Sequence, residues 1–246
     1  MEIRIVFGPE KNRQQKNISV TMCTPGHEEE LATGFLFTEG LIKKKEDILR
    51  CLSLNESGNN IMIAELQAGI SFDPGKIERH FYTSSSCGVC GKSSIDAVKN
   101  VFNNKPVKDN ITIKASILIK LPELLRKQQQ VFEHTGGLHA SALFDLAGNL
   151  VLTREDVGRH NALDKLIGAS LIEGNVPLIN YILLLSGRAS FELIQKAAMA
   201  GIKIVCAVGA PSSLAVELAK ETCLTLVGFL RDGRFNIYCG EQRIYK

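Results

Sequence analysis

The sequence predicts an α/β protein: a C-terminal domain built on a mostly parallel sheet covered by helices, preceded by a smaller N-terminal α+β domain. From about residue 138 onward, apolar runs of strand length alternate with segments of helical length, a rhythm typical of parallel strands joined by helices. The first third of the chain is instead a mixture of strands and helix. The break between the two regions is rich in Asn and Lys, so we assign residues 1–107 to the first domain and residues 108–246 to the second.

The N-terminal third is predicted to start with two strands, at residues 3–7 and 17–23, joined by a polar turn. A helix is predicted to follow, with Thr24 as its cap and Pro25 in its first turn, because both residue types favour those positions. A further strand is predicted at residues 61–66. We interpret these elements as a scaffold.

The C-terminal domain is predicted to open with a helical segment at residues 116–132 and an antiparallel hairpin with strands at 138–144 and 150–153. Strands and helices then alternate to the end of the chain. The remaining predicted strands are 181–185, 202–208, 223–230 and 234–238, and the predicted helices between them are 159–172, 190–200 and 211–221.

The composition is that of an ordinary soluble globular protein, with 45% hydrophobic and 22% charged residues in a chain of 246. A formal net charge of +3 is too small to favour a nucleic-acid partner. The N-terminus carries no apolar run long enough for a signal peptide, and the longest apolar runs are of strand length, well short of a membrane span. We therefore expect a cytoplasmic protein that binds neither nucleic acid nor membrane.

Two of the seven cysteines, Cys87 and Cys90, have a spacing that indicates chemistry. They stand between a strand-like run and a helix-like run at 93–102, and a thiol just before a helix is favoured as thiolate by the unpaired backbone N–H groups and the helix dipole. Gly88 and Gly91 leave the sulfurs open to another molecule. The pair is suited to act as a nucleophile, a redox switch or a metal clamp. The other five cysteines are expected to be small buried hydrophobic residues.

Three loops rich in small residues each follow a predicted strand and open a helix, and two of them carry an arginine, Arg159 and Arg188. Ligands of open α/β sheets bind beyond the carboxyl ends of the strands, where such loops meet. Helix N-termini and Arg side chains together favour anions, so we predict a site for a phosphorylated ligand such as a nucleotide or dinucleotide. In a fourth segment Phe229 is suited to stack on a base. The four segments are 154–161, 186–190, 209–213 and 228–234.

Familiar nucleotide and zinc motifs do not fit the chain. No Gly-x-Gly-x-x-Gly follows a strand, and Gly91-Lys92-Ser93 lacks the first glycine of a P-loop because Ser86 stands there. His134 and His139, with the two paired cysteines, are zinc-ligand types, but their separation fits no compact zinc finger, so no zinc is expected. The histidines are predicted to line a pocket and handle protons, or else Gly136-Gly137 simply allows a close turn.

Several motifs in order resemble one family, the formate dehydrogenase accessory proteins of the FdhD/NarQ type. No single motif decides the resemblance, but together they span nearly the whole chain. They are Thr24-Pro25-Gly26 to Gly40, Cys87-Gly88-Val89-Cys90-Gly91-Lys92, the His134 to His139 cluster, Glu155-Asp156-Val157-Gly158-Arg159-His160-Asn161-Ala162, Ser186-Gly187-Arg188-Ala189-Ser190, Ala210-Pro211-Ser212-Ser213-Leu214-Ala215-Val216, and Gly228-Phe229 to Tyr238.

The resemblance implies a sulfurtransferase of molybdenum enzyme maturation. Such a protein takes sulfur as a persulfide from a cysteine desulfurase and passes it to the bis(molybdopterin guanine dinucleotide)-molybdenum of the formate dehydrogenase catalytic subunit. It further implies a three-layer, cytidine deaminase-like C-terminal domain, a homodimer, and GDP or GMP as mimics of the cofactor. By motif, Cys87 matches the persulfide-bearing cysteine and Cys90 its partner.

The resemblance also implies where the guanine dinucleotide part binds. The matching segment is Phe229, Leu230, Arg231, Asp232, Gly233 and Arg234, and the other residues assigned to the cofactor site are Arg159, His160, Ser186, Gly187, Arg188, His134 and His139. The zinc arrangement and catalytic Glu of true deaminases are absent in the needed context. Gly209 stands where the family pattern suggests a serine.

Two other functions stay open from the sequence. Strand–Cys-x-x-Cys–helix is also the arrangement of thiol–disulfide oxidoreductases, although here the sheet follows the motif. A non-catalytic chaperone that only carries the molybdenum cofactor would not need either cysteine.

Overall fold

The computed structural model describes residues 1–56, 59–70, 109–128 and 136–246. Its N-terminal part is a four-stranded sheet in the order β2-β1-β4-β3, in which β1 pairs antiparallel with β2 and parallel with β4. The two predicted N-terminal strands and the strand near residue 61 are confirmed, and β3 was not predicted. The strands are β1 Glu2–Phe7, β2 Gln14–Val20, β3 Ile48–Glu56 and β4 Asn59–Leu66.

Helix α1, Glu28–Thr38, starts three residues later than the sequence suggested. The prediction of Thr24 as its cap was wrong. His27 occupies the cap position with a left-handed backbone (φ 65°) and makes no side-chain cap bond. The Thr24 hydroxyl instead accepts a hydrogen bond from the Val157 amide, 133 residues further along the chain. The three glutamates of the first turn supply the favourable charge at the start of α1.

The C-terminal part is a six-stranded sheet in the order β11-β10-β9-β8-β6-β7. Every predicted strand and helix of this part after residue 138 is confirmed, with bounds that agree to within three residues. The strands are β6 His139–Asp145, β7 Leu150–Asp156, β8 Tyr181–Leu185, β9 Ile204–Ala207, β10 Thr225–Arg231 and β11 Arg234–Cys239, and the helices are α4 Arg159–Ile172, α5 Phe191–Met199 and α6 Ser213–Glu221.

This sheet is mixed rather than mostly parallel. Only the two central pairings, β8 with β9 and β9 with β10, are parallel. The β6–β7 and β10–β11 hairpins and the β6–β8 pairing are antiparallel. The antiparallel β6–β7 hairpin was predicted and is confirmed. The prediction of a mostly parallel sheet failed because β10 and β11, joined by a tight turn, must also pair antiparallel, and because β6 pairs antiparallel with β8.

Helices cover both faces of the six-stranded sheet. Side chains alternate along β8: Leu183 and Leu185 pack in the cluster formed with α4, α5 and α6, whereas Ile182 and Leu184 pack on the opposite face. There they meet two short helices, α2 Ala115–Leu118 and α3 Leu121–Gln128. The result is three layers, and its assignment to the cytidine deaminase-like fold stays a prediction. A last strand, β12 Ile244–Tyr245, pairs parallel with β5 Ile113–Lys114.

The two sheets share one hydrophobic core through the crossing of α1 and α4. At the crossing the helix backbones touch: a Cβ on Gly34 would lie 1.9 Å from the Asp164 carbonyl oxygen, and one on Gly168 would lie 1.9 Å from the Glu30 carbonyl oxygen. Apolar side chains of β1, α1 and α4 belong to the same cluster. The predicted domain boundary at 107/108 lies outside the described residues and stays a prediction.

Candidate functional site

Four strands of the large sheet end at one edge. β7 runs antiparallel to β6, and β6 runs antiparallel to β8, so β7 has the same direction as β8, β9 and β10. Their carboxyl ends and the first residue of β6, His139, therefore lie side by side. We call this the carboxyl edge. It comprises His139 and the segments 156–160, 186–190, 208–212 and 229–234.

The first segment of the carboxyl edge is held by Asp156, whose side chain is fully buried. Its carboxylate accepts hydrogen bonds from the Gly158 amide at 2.9 Å and the Asn161 side-chain amide at 3.1 Å, and pairs with the Lys165 ammonium at 2.8 Å. Gly158 is the N-cap of α4, so this network sets where the helix begins. Arg159, in the first turn, is thereby placed at the carboxyl edge.

The second segment lies directly on the start of β6. The Ser186 amide donates to the Ala140 carbonyl at 3.0 Å, and the Ser186 hydroxyl accepts from the Ala140 amide at 2.8 Å. A Cβ on Gly187 would lie 3.2 Å from His139 Nδ1. The residues Ser186, Gly187 and His139, separated by nearly fifty positions in sequence, are thus packed together.

The third segment is hydrogen-bonded to both of its neighbours. The Gly209 amide donates to the Gly187 carbonyl at 2.9 Å, and the Phe229 amide donates to the Gly209 carbonyl at 3.1 Å. A Cβ on Gly209 would lie 3.0 Å from the Arg188 amide nitrogen, so the serine that the family pattern suggests would not fit without a shift of the loop. The close packing leaves little room for a side chain at this position.

The carboxyl edge is positively charged and contains a buried donor with no partner. Arg159 Nε is inaccessible to solvent and makes no hydrogen bond in the described structure. Burial lowers the pKa of His139, and the positive charges of Arg159, His160 and Arg188 lower it further. A cluster of cationic groups around a buried, unsatisfied N–H group favours an anionic ligand.

His160 is oriented by the start of α5. Its Nε2 lies 3.2 Å from the Ser190 hydroxyl and 3.8 Å from a Glu192 carboxylate oxygen. The neighbouring His160 imidazole is the chief reason that the pKa of Glu192 is lowered to about 2. The Glu192 carboxylate is therefore charged at neutral pH and offsets part of the positive charge.

The fourth segment departs from a regular strand. The pairing of β10 with β11 shifts between Gly228 and Arg231, and Phe229 there has a left-handed backbone (φ 53°). The Leu230 side chain is buried in the core on the α2–α3 face, so the sequence-predicted ligand contact is restricted to its backbone. The remaining residues of the predicted segment, Arg231, Asp232, Gly233 and Arg234, are exposed in and around the β10–β11 turn.

The predicted chemical residues Cys87 and Cys90, and with them His134, lie outside the described residues, so their roles stay predictions. Within the described ranges, no group of three or more His, Cys, Asp or Glu side chains is arranged to hold a metal ion. In the same part of the chain, no helix is long and apolar enough to cross a membrane.

Of the five other cysteines, Cys206 is buried, as the sequence suggested, whereas Cys23, Cys51 and Cys239 are only partly buried. Burial raises the pKa of Cys206 to about 12 and is the chief reason that the pKa of Cys51 rises to about 11. Cys223 is exposed, so the prediction that it is buried was wrong. It stands just after α6 in a left-handed turn (φ 54°), where the chain reverses at the surface.

Together these features define a mixed α/β protein with a candidate site for an anionic ligand at the carboxyl edge of its larger sheet. The chain belongs to the FdhD/NarQ family, whose model matches residues 12–245. It is 51% identical over 233 residues to the sulfur carrier protein FdhD of Mycolicibacterium paratuberculosis, covering 92% of this chain and 86% of the relative. It is 42% identical to the protein of that name from the archaeon Thermoplasma volcanium, over 99% of this chain and 86% of the relative.

A solved structure shares the fold. A Desulfotalea psychrophila protein, solved as a candidate formate dehydrogenase accessory protein, superposes with a TM-score of 0.67. The match covers 100% of this chain and 89% of that chain at 24% sequence identity. The same arrangement of elements is therefore present in a distantly similar protein.

Proposed function

We propose that the protein is a sulfurtransferase that carries sulfur, as a persulfide on Cys87, from a cysteine desulfurase to the molybdenum of bis(molybdopterin guanine dinucleotide). The observation that carries this proposal is the carboxyl edge, where Arg159 presents a buried, unpartnered donor among cationic groups. Relatives at 51% and 42% identity are named sulfur carrier proteins, which supports sulfur as the cargo.

The phosphates of the bis(molybdopterin guanine dinucleotide) cofactor are proposed to bind at the segments bearing Arg159, Arg188 and Arg231. The N-termini of α4, α5 and α6 point backbone N–H groups toward this edge, and helix N-termini favour phosphate. The guanine base is proposed to stack on Phe229, whose partly exposed ring stands beside the exposed turn. GDP and GMP are the corresponding small mimics.

Sulfur loading is proposed to be a displacement at the outer sulfur of the desulfurase persulfide. The Cys87 thiolate attacks that sulfur, a new S–S bond forms on Cys87, and the old S–S bond breaks to release the desulfurase cysteine as thiolate. No oxidant or reductant is consumed. The start of the predicted helix after Cys90, together with Lys92, would stabilise the negatively charged persulfide.

Two roles are open for Cys90. Its thiolate can attack the outer sulfur and so take over the persulfide as a relay. It can instead attack the inner sulfur, which releases hydrosulfide and leaves a Cys87–Cys90 disulfide that an external thiol must reduce.

We further propose that the sulfurated cofactor serves the formate dehydrogenase catalytic subunit. The protein is proposed to act as a homodimer and to work in the cytoplasm.

A titration with GDP tests the ligand site. In Arg159→Met, GDP affinity is expected to fall by about 10- to 100-fold, the range for losing a hydrogen bond to a charged group. The matched control is Arg50→Met, which removes the same charge from an exposed Arg paired with Glu65 on the N-terminal sheet. Its GDP affinity should stay close to that of the unmodified protein, as measured by isothermal titration calorimetry.

Two results would contradict the proposed ligand site. One is absence of GDP binding by the unmodified protein. The other is an equal loss of affinity in Arg159→Met and Arg50→Met, which would mean that only the overall charge matters.

A further inference from the structure

Thr24, in the loop between β2 and α1, is bonded to the end of β7 and to α4 through all three of its polar groups. Its amide donates to the Asp156 carboxylate at 3.0 Å, and its hydroxyl accepts from the Val157 amide at 3.0 Å. Its carbonyl accepts from the Lys165 ammonium at 2.8 Å. Asp156 and Lys165 are themselves a buried ion pair, so one residue of the N-terminal part completes a network centred on the start of α4.

A neighbouring residue strengthens the same junction. The Asn161 side-chain amide donates to the Met22 carbonyl at 2.8 Å and to the Thr21 hydroxyl at 3.1 Å. Residues 21–24 are therefore bonded on both sides of Arg159, at Val157 and at Asn161. We call these contacts the Thr24 clamp.

The hydrogen bonds of the clamp join its groups to one another. Their common effect is to fix the backbone at 157–161. Arg159, whose Nε is buried and has no partner, belongs to this stretch of backbone. A small shift of the turn would move its guanidinium relative to the neighbouring segment at Gly187.

We propose that Thr24 is a positioning residue by which the N-terminal part of the chain sets the affinity of the carboxyl edge for phosphorylated ligands. This inference rests on the proposed function, since it concerns the same ligand site. The Thr24 hydroxyl acts through the Val157 amide on the first turn of α4, and thus on Arg159.

The test compares two substitutions of nearly the same size. Thr24→Val keeps the shape and removes the hydroxyl, and GDP affinity is expected to fall about five- to tenfold, the effect of one lost hydrogen bond. Thr24→Ser keeps the hydroxyl and should restore an affinity within about twofold of the unmodified protein. Thr222→Val removes a hydroxyl bonded to the Leu218 carbonyl at the far end of α6, and should leave GDP affinity unchanged.

A double-mutant cycle separates positioning from general destabilisation. If Thr24 acts through Arg159, adding Thr24→Val to Arg159→Met should cause little further loss of GDP affinity. Unchanged GDP affinity in Thr24→Val, or a full additive loss in the double variant, would overturn the inference and leave the proposed function standing. Absence of GDP binding by the unmodified protein would overturn the proposed function, and this inference with it.

Discussion

Replacing Cys87 by alanine is expected to abolish sulfur loading: the unmodified protein should gain one sulfur atom on incubation with a cysteine desulfurase and cysteine, and Cys87→Ala should gain none. Alanine has no thiolate to attack the desulfurase persulfide. The shielded cysteines are poor substitutes, because burial holds the thiol of Cys206 protonated with a pKa of about 12. Intact-protein mass spectrometry measures the added sulfur directly.

Two further variants control the sulfur-loading experiment. Cys223 is an exposed thiol outside the carboxyl edge, so Cys223→Ala should load sulfur like the unmodified protein. Cys90→Ala should still load sulfur but deliver it poorly. Unchanged loading in Cys87→Ala would contradict the assignment and transfer the role to Cys90.

The second large effect is on folding: Gly168→Ala is expected to prevent stable folding or to lower the free energy of unfolding by more than about 4 kcal/mol. Helix propensity alone predicts the opposite, a gain of about 1 kcal/mol for replacing glycine by alanine in the middle of a helix. The added Cβ would lie 1.9 Å from the Glu30 carbonyl oxygen of α1. Because both partners at the crossing are helix backbone, neither can move aside cheaply.

Urea unfolding followed by circular dichroism measures this effect. The control is Gly174→Ala, just after α4, where a Cβ would meet nothing within 4 Å but the backbone is left-handed (φ 77°). It should cost about 1 to 2 kcal/mol. A Gly168→Ala protein as stable as Gly174→Ala would show that α1 and α4 do not cross in contact.

The elements after residue 138 could be predicted because each one is a single apolar run of the right length between strong turn signals. Strand β8 is five apolar residues followed by Ser186-Gly187, and helix α5 ends at Met199, just before Gly201. The relative direction of neighbouring strands was harder to predict. Whether two strands pair parallel or antiparallel depends on the segment that connects them. Antiparallel pairings, including the hairpins at both ends of the sheet, outnumber the two parallel pairings at its centre.

Strand β3 could not be predicted because its apolar residues do not alternate. The run Ile48-Leu49-Arg50-Cys51-Leu52-Ser53-Leu54 fits neither a half-buried strand nor a helix, and both Leu49 and Leu54 are exposed. Pairing with β4 stabilises it as a strand. This is a tertiary effect that overrides local pattern.

The carboxyl edge was predictable in outline, because loops that follow neighbouring strands in the same direction must meet. The Thr24 clamp that supports this edge was not predictable. The bonds from Thr24 to Asp156 and Lys165 join residues more than 130 positions apart, and a threonine before a proline looks locally like a helix cap. Only the crossing of α1 over α4 brings these groups together.

The most direct test of the central claim follows labelled sulfur into the client enzyme. The protein, loaded by a desulfurase with an isotope of sulfur, is incubated with inactive formate dehydrogenase that holds its molybdenum cofactor. We expect the label to appear in the enzyme-bound cofactor together with formate oxidation, and both to be lost with Cys87→Ala and strongly reduced with Arg159→Met. Equal activation by a protein lacking both Cys87 and Cys90 would contradict sulfur transfer and indicate a chaperone that only carries the cofactor.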